Sequence, residues 1–139
     1  MTTPAGFELL EHTADVGIRA WGRSASEAFA QAALALAELM GVRVRGPGKR
    51  RTVRASAEDQ PGLLVAFLDE LVWIHESELA GFVGVDVILL SEHGLVAEVE
   101  TAPPPAEPAG VGVKAATYHQ LAVEPRADGV VEVRVFLDV

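Results

Sequence analysis

The sequence predicts an α+β fold, a β/α/β layered sandwich in which two buried helices lie between mostly antiparallel sheets. Two segments have helical lengths and apolar residues on nearly every face, so each is expected to be covered on more than one side. About seven further segments show the short or alternating apolar patterns of strands. Helices without a polar stripe must be buried against other elements, which here means layers of sheet on both sides.

Composition restricts the class of protein. With 139 residues, the chain is expected to form a single domain over residues 1–139 with a substantial core. Half of the residues are apolar, which argues against disorder, and the absence of cysteine excludes disulfides, thiolate metal sites and cysteine nucleophiles. No secretory apolar segment and no run of about eighteen apolar residues is present, so we expect a soluble cytoplasmic protein with no membrane partner.

Charge narrows the range of partners. The chain has 20 acidic and 11 basic residues, a formal net charge of −9. Proteins bind a phosphate backbone largely by neutralising phosphates with Lys and Arg, so stable direct nucleic-acid binding is not expected. The acidic balance fits cation binding or a basic protein partner better.

The N-terminal third predicts two strands and a helix. Gly6–Glu11 and Val16–Trp21 have strand patterns, and the second alternates apolar residues on one face. Ser24-Ala25-Ser26-Glu27 has the spacing of a capping box, which satisfies free N–H groups at a helix start. The helix is predicted to run from there to Met40 and to end at Gly41, since glycine readily adopts the left-handed conformation.

The middle of the chain predicts a basic hairpin and a second helix. Arg43–Arg54 holds six basic residues around Gly46-Pro47-Gly48, and we interpret it as a solvated hairpin whose Lys and Arg protect an edge strand. A partner-docking patch is the alternative. The second helix is predicted over Pro61–His75, with Asp59 as its cap and proline in its first turn.

The C-terminal half predicts strands around one irregular loop. Gly81–Leu90 and Leu95–Thr101 are expected to form a hairpin. Ala102–Gly110 is rich in proline and is therefore predicted to be a loop. Val111–Glu124 is a further strand region, and Val130–Val139 is the last strand.

Two carboxylates stand out at opposite ends of the chain. Asp15 lies at the start of the second strand, where a turn residue is the ordinary interpretation. Asp138 lies in the last strand, beside the free carboxylate expected on Val139. If the strand that follows Asp15 and the last strand are neighbours, three carboxyl groups share one small volume. Such a cluster requires a cation or raised pKa values.

The remaining candidate groups have ordinary structural interpretations. His12 and Asp15 have too common a spacing to indicate a metal pair. His75 is interpreted as a hydrogen-bonded helix residue, His93 as an exposed turn residue and His119 as a structural residue on a strand face. The chain contains no phosphate-binding glycine loop, no nucleophile elbow and no zinc-protease motif.

Lys114 stands alone in an apolar neighbourhood, on the strand face predicted to contain Ala116 and Tyr118. A single lysine is normally solvated. A lysine near a carboxylate cluster would instead balance its charge or reach a phosphate.

Four segments together resemble the archease family: His12–Ile18, the helix Ser24–Gly41, Gly112–His119 and the terminal Phe136–Val139. Their order and spacing match the family over the length of the chain. The resemblance implies a protein cofactor of the tRNA-splicing RNA ligase, which joins a 3′-phosphate or cyclic phosphate end to a 5′-hydroxyl. It implies a protein that is not itself an enzyme, but promotes guanylylation of the ligase by GTP and its repeated turnover.

The resemblance also implies a divalent cation, usually calcium, held by Asp15, Asp138 and the C-terminal Val139, with Lys114 as a functional lysine. Hard carboxylate oxygens agree with this, because they select calcium or magnesium over zinc or copper. The sequence departs from the family pattern in Ala102–Gly110, where a proline-rich loop with Glu107 replaces the expected acidic segment.

Two other functions stay open at this point. The protein could be a general chaperone or adaptor that binds basic RNA-modifying proteins through its acidic surface. It could also be a small metal-dependent hydrolase whose carboxylates activate water, although no general base stands out by position.

Overall fold

Two antiparallel sheets and two helices make up the chain in the computed structural model, which describes residues 4–11 and 15–139. The first sheet has the order β1-β2-β8, and both β6 and β7 pair with the other side of β8. The second sheet has the order β3-β5-β4. The elements are β1 (Gly6–Glu11), β2 (Val16–Gly22), α1 (Ala25–Leu39), β3 (Lys49–Ser56), α2 (Gln60–Glu78), β4 (Gly81–Leu90), β5 (Gly94–Ala102), β6 (Ala115–Ala116), β7 (Ala122–Pro125) and β8 (Val131–Asp138).

Both helices lie between the two sheets, which confirms the predicted layered α+β fold. Helix α1 contacts β1, β2 and β8 of the first sheet and β4 of the second, and α2 contacts β3 and β5 as well as β6 and β7. Along α1 only Glu38 is exposed, whereas α2 has an open stripe over its second half that includes Glu70 and Trp73. No helix in the described chain is long and apolar enough to span a membrane.

The ends of α1 agree with the capping signals in the sequence. The Ser24 hydroxyl accepts a hydrogen bond from the Glu27 backbone N–H at 3.1 Å. The Glu27 carboxylate accepts a hydrogen bond from the Arg23 backbone N–H at 3.2 Å. In a standard capping box the donor would be the N–H of the N-cap residue, Ser24, one position later. Gly41 follows the helix with φ +71°, the left-handed conformation that the sequence predicted for a helix stop.

Helix α2 begins as predicted and ends later. The Asp59 carboxylate accepts a hydrogen bond from the Gly62 N–H at 2.8 Å, and Pro61 lies in the first turn. The helix continues past His75 to Glu78. It ends at Leu79, which has the left-handed conformation of a helix stop, with φ 51°. Because Leu79 is not a glycine, nothing in the sequence signals this end.

The predicted basic hairpin is wrong. Val42 and Val44 exchange backbone hydrogen bonds with Phe82 at 2.8 and 2.9 Å, so this segment lies along the outer edge of β4. Strand β3 lies at the opposite edge of the same sheet. Residues 45–48 therefore cross the end of the sheet instead of turning back on themselves, and Gly48 donates its N–H to Glu100 at 2.9 Å during that crossing.

The basic residues of β3 nevertheless lie on an edge strand, as expected. Arg50 pairs with Glu98 at 3.4 Å, and Arg51 pairs with Glu78 at 2.6 Å. These exposed pairs bring acidic residues of the same chain to the basic strand, which favours the solvated-edge interpretation over a docking patch.

The stretch Val111–Glu124 is two short strands rather than one. Only Ala115–Ala116 and Ala122–Pro125 pair with β8, and between them the chain turns through Gln120 with φ 51°. Apolar and polar residues alternate across this turn in the sequence. Such a pattern shows which residues share a face, but it does not show whether one strand is interrupted. The proline-rich stretch before it contains no strand from Pro103 to Gly110, as predicted. The predicted strand does not begin at Val111 either, and Val111 instead donates to the Leu39 carbonyl at the end of α1 at 2.9 Å.

Candidate functional site

The C-terminal end of β8 lies between the starts of β2 and β6. Val16 of β2 pairs with Leu137, and Ala115 of β6 pairs with Asp138. Continuing the β2–β8 register by one residue places Asp15 opposite Asp138. Two carboxylates from the two ends of the chain are thereby brought to neighbouring positions where these strands end, at one end of the first sheet.

These two carboxylates belong to the outer face of the sheet. Leu137 is fully buried and faces the helices, so its neighbour Asp138 points to the other side and is exposed. Residues directly opposite each other in an antiparallel pair share a face, with Cα atoms about 4.5–5.5 Å apart. The register therefore assigns Asp15, which is half-buried, to the same outer face as Asp138.

Lys114 lies beside the same end of β8. Its backbone N–H donates to the carbonyl of Asp138 at 2.8 Å, which holds the start of β6 against the last residues of β8. Its side chain is exposed, and no described carboxylate lies within ion-pair distance of it. Val139 is also exposed at this end. The fold thus brings the main chains of the four predicted site residues, Asp15, Lys114, Asp138 and Val139, to one end of the first sheet.

Among the residues that the structure describes, no three His, Asp or Glu side chains form a metal-binding group. The predicted ligand set contains two side-chain carboxylates and one main-chain carboxylate, so three side chains are not required of it. Its donors are all hard oxygens, which suits calcium or magnesium. Of the sequence motif before Asp15, His12, Thr13 and Ala14 lie outside the described residues.

Packing below the site holds β2 and β8 close together. Phe136 is only 5% exposed although its position on β8 assigns it to the outer face. Gly17 lies directly across from it, and a Cβ atom on Gly17 would come within 2.8 Å of the Phe136 ring. The missing side chain of Gly17 therefore makes room for the ring, two residue pairs away from the carboxylates.

The three described histidines, His75, His93 and His119, differ in their contacts. The His75 Nδ1 atom lies 2.8 Å from the Ala80 carbonyl, so it carries the proton and donates, as the hydrogen-bonded interpretation predicted. His93 is exposed in the β4–β5 turn, also as predicted. His119 lies in the turn between β6 and β7 and not on a strand face, so that part of its prediction is wrong. It is exposed, and its ring packs edge-on against Phe136 with the ring centroids 5.7 Å apart.

Elsewhere on the outer face of this sheet, the positive charge of Arg19 is neutralised by two glutamates. The Arg19 guanidinium lies 3.0 Å from Glu8 and 2.8 Å from Glu132, and it also stacks over the Trp21 ring. Its hydrogen bond to Glu132 raises the pKa of Arg19 further above its ordinary value. Arg19 is thus occupied within the sheet, in contrast to Lys114.

Asp69 is a further residue near the site, and the sequence did not predict it. It lies on α2, and its carboxylate accepts a hydrogen bond from the backbone N–H of Ala116 in β6 at 2.8 Å. Burial raises the pKa of the Asp69 carboxyl group, and the Ala116 hydrogen bond lowers it by a smaller amount. The signal in the sequence was a pair of adjacent carboxylates, Asp69 and Glu70, in an otherwise apolar stretch that by its pattern predicts only a buried helix.

The fold is that of a small layered α+β protein in which strand pairing brings Asp15, Lys114 and Asp138 to one end of one sheet. The chain matches the model of the Archease protein family (MTH1598/TM1083) over residues 7–139. It belongs to the archease family.

Relatives and solved structures agree with this assignment. Protein archease of Thermococcus gammatolerans is 37% identical over 134 residues, which cover 88% of this chain and 91% of that protein. Protein archease of Methanothermobacter thermautotrophicus is 33% identical and covers 96% of this chain and 98% of that protein.

Two solved structures have the same fold. The solution structure of Methanobacterium thermoautotrophicum protein 1598 superposes with a TM-score of 0.73 at 32% identity, covering 96% of this chain and 99% of that chain. A crystal structure from Thermotoga maritima, described as an archease and "possible chaperone", has a TM-score of 0.65 at 21% identity. It covers 100% of this chain and 98% of that chain, and at that identity it supports the fold alone.

Proposed function

We propose that this protein is a metal-binding, non-catalytic activator of the 3′-phosphate type of RNA ligase used in tRNA splicing or RNA repair, promoting guanylylation of the ligase by GTP and its multiple turnover. The observation that supports the proposal best is the strand register. Together with the bond from Lys114 to Asp138, it brings Asp15, Asp138 and Lys114 to one end of one sheet, although most of the chain separates Asp15 from the other two. Family membership supports the same assignment.

In this proposal, Asp15 and Asp138 hold a divalent cation, calcium or magnesium, together with the main-chain carboxyl group of Val139. The cation, when bound, supplies positive charge that attracts phosphate oxygens. The carboxylates then act as ligands rather than as proton acceptors. Without a cation their mutual repulsion at neighbouring positions would oppose the native register.

Lys114 supplies the second positive charge. Because no described carboxylate neutralises it, its ammonium group is available to a phosphate or to an acidic group of a partner. Its backbone N–H is bonded to the Asp138 carbonyl, so the lysine and the carboxylates lie at the same end of the sheet, at the surface where a partner enzyme can reach them. This site activates the nucleotidyl-transfer step of the ligase without performing that step itself.

The test is guanylylation of a partner RNA ligase from GTP under multiple-turnover conditions. We expect Asp15→Ala, Asp138→Ala and Lys114→Ala to remain folded by circular dichroism and to lose stimulation. Each changes a half-buried or exposed polar residue and leaves no core cavity. Asp86→Ala and Lys49→Ala remove the same charges from exposed positions on the second sheet and are expected to stimulate as the wild type does. Full stimulation by all three site variants would contradict the proposal.

Calcium titration by calorimetry tests the metal separately. Asp15→Ala and Asp138→Ala should lose calcium binding, while Lys114→Ala should retain it because a cation repels lysine. Residues added after Val139 should weaken binding, since its carboxyl group would become an amide. Unchanged affinity in Asp15→Ala would remove the metal from the proposal.

The second candidate function is a chaperone or adaptor for basic RNA-modifying proteins. It is favoured by the net charge of −9, which suits a basic client. It predicts that the site variants still suppress aggregation of a basic client, with a loss of that effect at high salt. The ligase activator predicts stimulation at substoichiometric amounts of this protein, which a holding chaperone does not provide.

A further inference from the structure

We propose that Asp69 is the positioning residue of this site. Its carboxylate on α2 fastens the two-residue strand β6 from the side opposite β8 and thereby keeps Lys114 beside Asp138. The proposal rests on the proposed function for one of its readouts, and it has a second readout that does not depend on that function.

Strand β6 is too short to be held by its own ladder. On its β8 side, Lys114 donates to the Asp138 carbonyl at 2.8 Å and Thr117 donates to the Phe136 carbonyl at 2.9 Å. On its other side, no strand pairs with β6 in the described chain, because the sheet order ends there. The Ala116 N–H instead donates to the Asp69 carboxylate at 2.8 Å. The Asp69 oxygen therefore takes the place that a carbonyl of the next strand would occupy.

The surroundings of Asp69 show why a carboxylate there is unusual. It is half-buried on a helix otherwise packed with apolar side chains, and no described Lys or Arg lies within ion-pair distance. The cleft it borders is lined by Glu58, Asp59 and Tyr118, none of which supplies positive charge. Burial raises the pKa of Asp69, so its ionised form is held at a disadvantage. Without the hydrogen bond to β6, an apolar side chain would suit this position better. The hydrogen bond therefore accounts for a carboxylate here.

The loss of Asp69 should affect the two parts of the site differently. Asp15 and Asp138 are placed by the β2–β8 ladder, which runs over seven residue pairs and does not involve α2. Lys114 is placed by β6, which would keep only its bonds to β8. The proposal therefore predicts that Asp69 variants lose the contribution of Lys114 and retain cation binding.

The experiment compares four variants of the full chain. Asp69→Ala and Asp69→Leu remove the acceptor, and the leucine fills the space that alanine leaves. Asp69→Asn keeps an oxygen that can accept from Ala116. Asp59→Ala is the matched control, because it removes a carboxylate that accepts an equally short 2.8 Å backbone bond on the same helix, at its N-cap.

We expect Asp69→Leu and Asp69→Ala to lower ligase stimulation to the level of Lys114→Ala, with calcium affinity unchanged. Asp69→Asn should restore stimulation, and Asp59→Ala should be less stable yet stimulate fully. Combining Asp69→Leu with Lys114→Ala should give no further loss. Equal stimulation by Asp69→Leu and wild type would overturn the inference, while a wild-type protein that fails to stimulate would instead overturn the proposed function.

Amide exchange provides the readout that needs no ligase. In nitrogen-15 spectra, the Ala116 amide should exchange faster in Asp69→Leu and Asp69→Ala than in Asp69→Asn and wild type, and the Lys114 and Ala115 resonances should shift with it. The Val16 and Leu137 amides should be unaffected. Unchanged protection of Ala116 in both Asp69→Leu and Asp69→Ala would show that Asp69 does not hold β6.

Discussion

At the scale of single residues, one glycine decides how closely β2 and β8 approach near the carboxylates. Gly17 lies opposite Phe136, and its missing side chain leaves the space that the aromatic ring fills. The ring is buried although its strand position points away from the helices. The outer face of the first sheet therefore has a small apolar contact of its own, which stabilises the register beside the site.

We expect Gly17→Ala to lower the free energy of unfolding by about 1–3 kcal/mol, the usual effect of overpacking. The added Cβ would lie 2.8 Å from the Phe136 ring and 3.1 Å from the Leu10 Cβ atom, so the ring or the strands must shift. Gly84→Ala is the matched control, because a Cβ there meets nothing within 4 Å. Urea denaturation measures both, and an equal effect of the two substitutions would contradict this account.

At the scale of elements, α2 combines packing with a polar contact to the site. Its apolar residues pack between the sheets, while Asp59 caps it and Asp69 reaches β6. The two aspartates differ in environment, since the cap is exposed and Asp69 is half-buried. Helix α2 is thus both a core element and the support of a short strand.

The pH dependence of stability should reveal the burial of Asp69. Its pKa is raised above the ordinary value of 3.8, so the folded protein binds this proton more tightly than the unfolded chain does. The stability linked to this group is greatest below the unfolded pKa and is lost as pH rises through the folded pKa. Asp69→Asn, which carries no charge at any pH, should therefore gain stability relative to wild type as pH rises from 3.8 to 7.

Denaturation curves recorded from pH 3.8 to 7 check this expectation. Asp86→Asn removes one negative charge from an exposed position and controls for the change in net charge. A stability difference between Asp69→Asn and wild type that does not grow with pH would contradict it.

At the scale of the whole molecule, the layered arrangement places α1 at the centre and leaves sheet edges at the outside. Helix α1 contacts strands of both sheets and exposes only Glu38. Strand β4 is an edge strand, and its outer side is covered in the described chain only near Phe82. Local stability should therefore fall from the centre of the sandwich to this edge.

Native-state hydrogen exchange should show this gradient. We expect the amides from Phe29 to Leu36 to exchange only through global unfolding, because opening α1 exposes both faces of the core. The outward-facing amides between Gly84 and Leu90 should exchange through smaller openings, with lower free energies. Protection of those β4 amides equal to that of α1 would mean that the edge is covered in solution, as by a second copy of the chain.

Local patterns in the sequence were enough to predict the layered class, most strand positions and the candidate residues. Helices with apolar residues on several faces must be buried, and Ser24 and Gly41 mark helix ends by their own chemistry. Asp15, Asp138 and Lys114 could be chosen from their places on strands and from the family motifs. These features depend on residues that are close together in the sequence, so they can be recognised from the sequence alone.

Only the tertiary structure decided which distant segments lie together. Periodicity tells which face a residue occupies but not which strand pairs with it, so the crossing at Gly46–Gly48 and the division of Val111–Glu124 were not predictable from pattern. The same holds for Asp69, whose partner lies 47 residues away in β6. Pairing between distant strands depends on how the whole core packs, and that packing places Asp15 opposite Asp138 and Lys114 beside them.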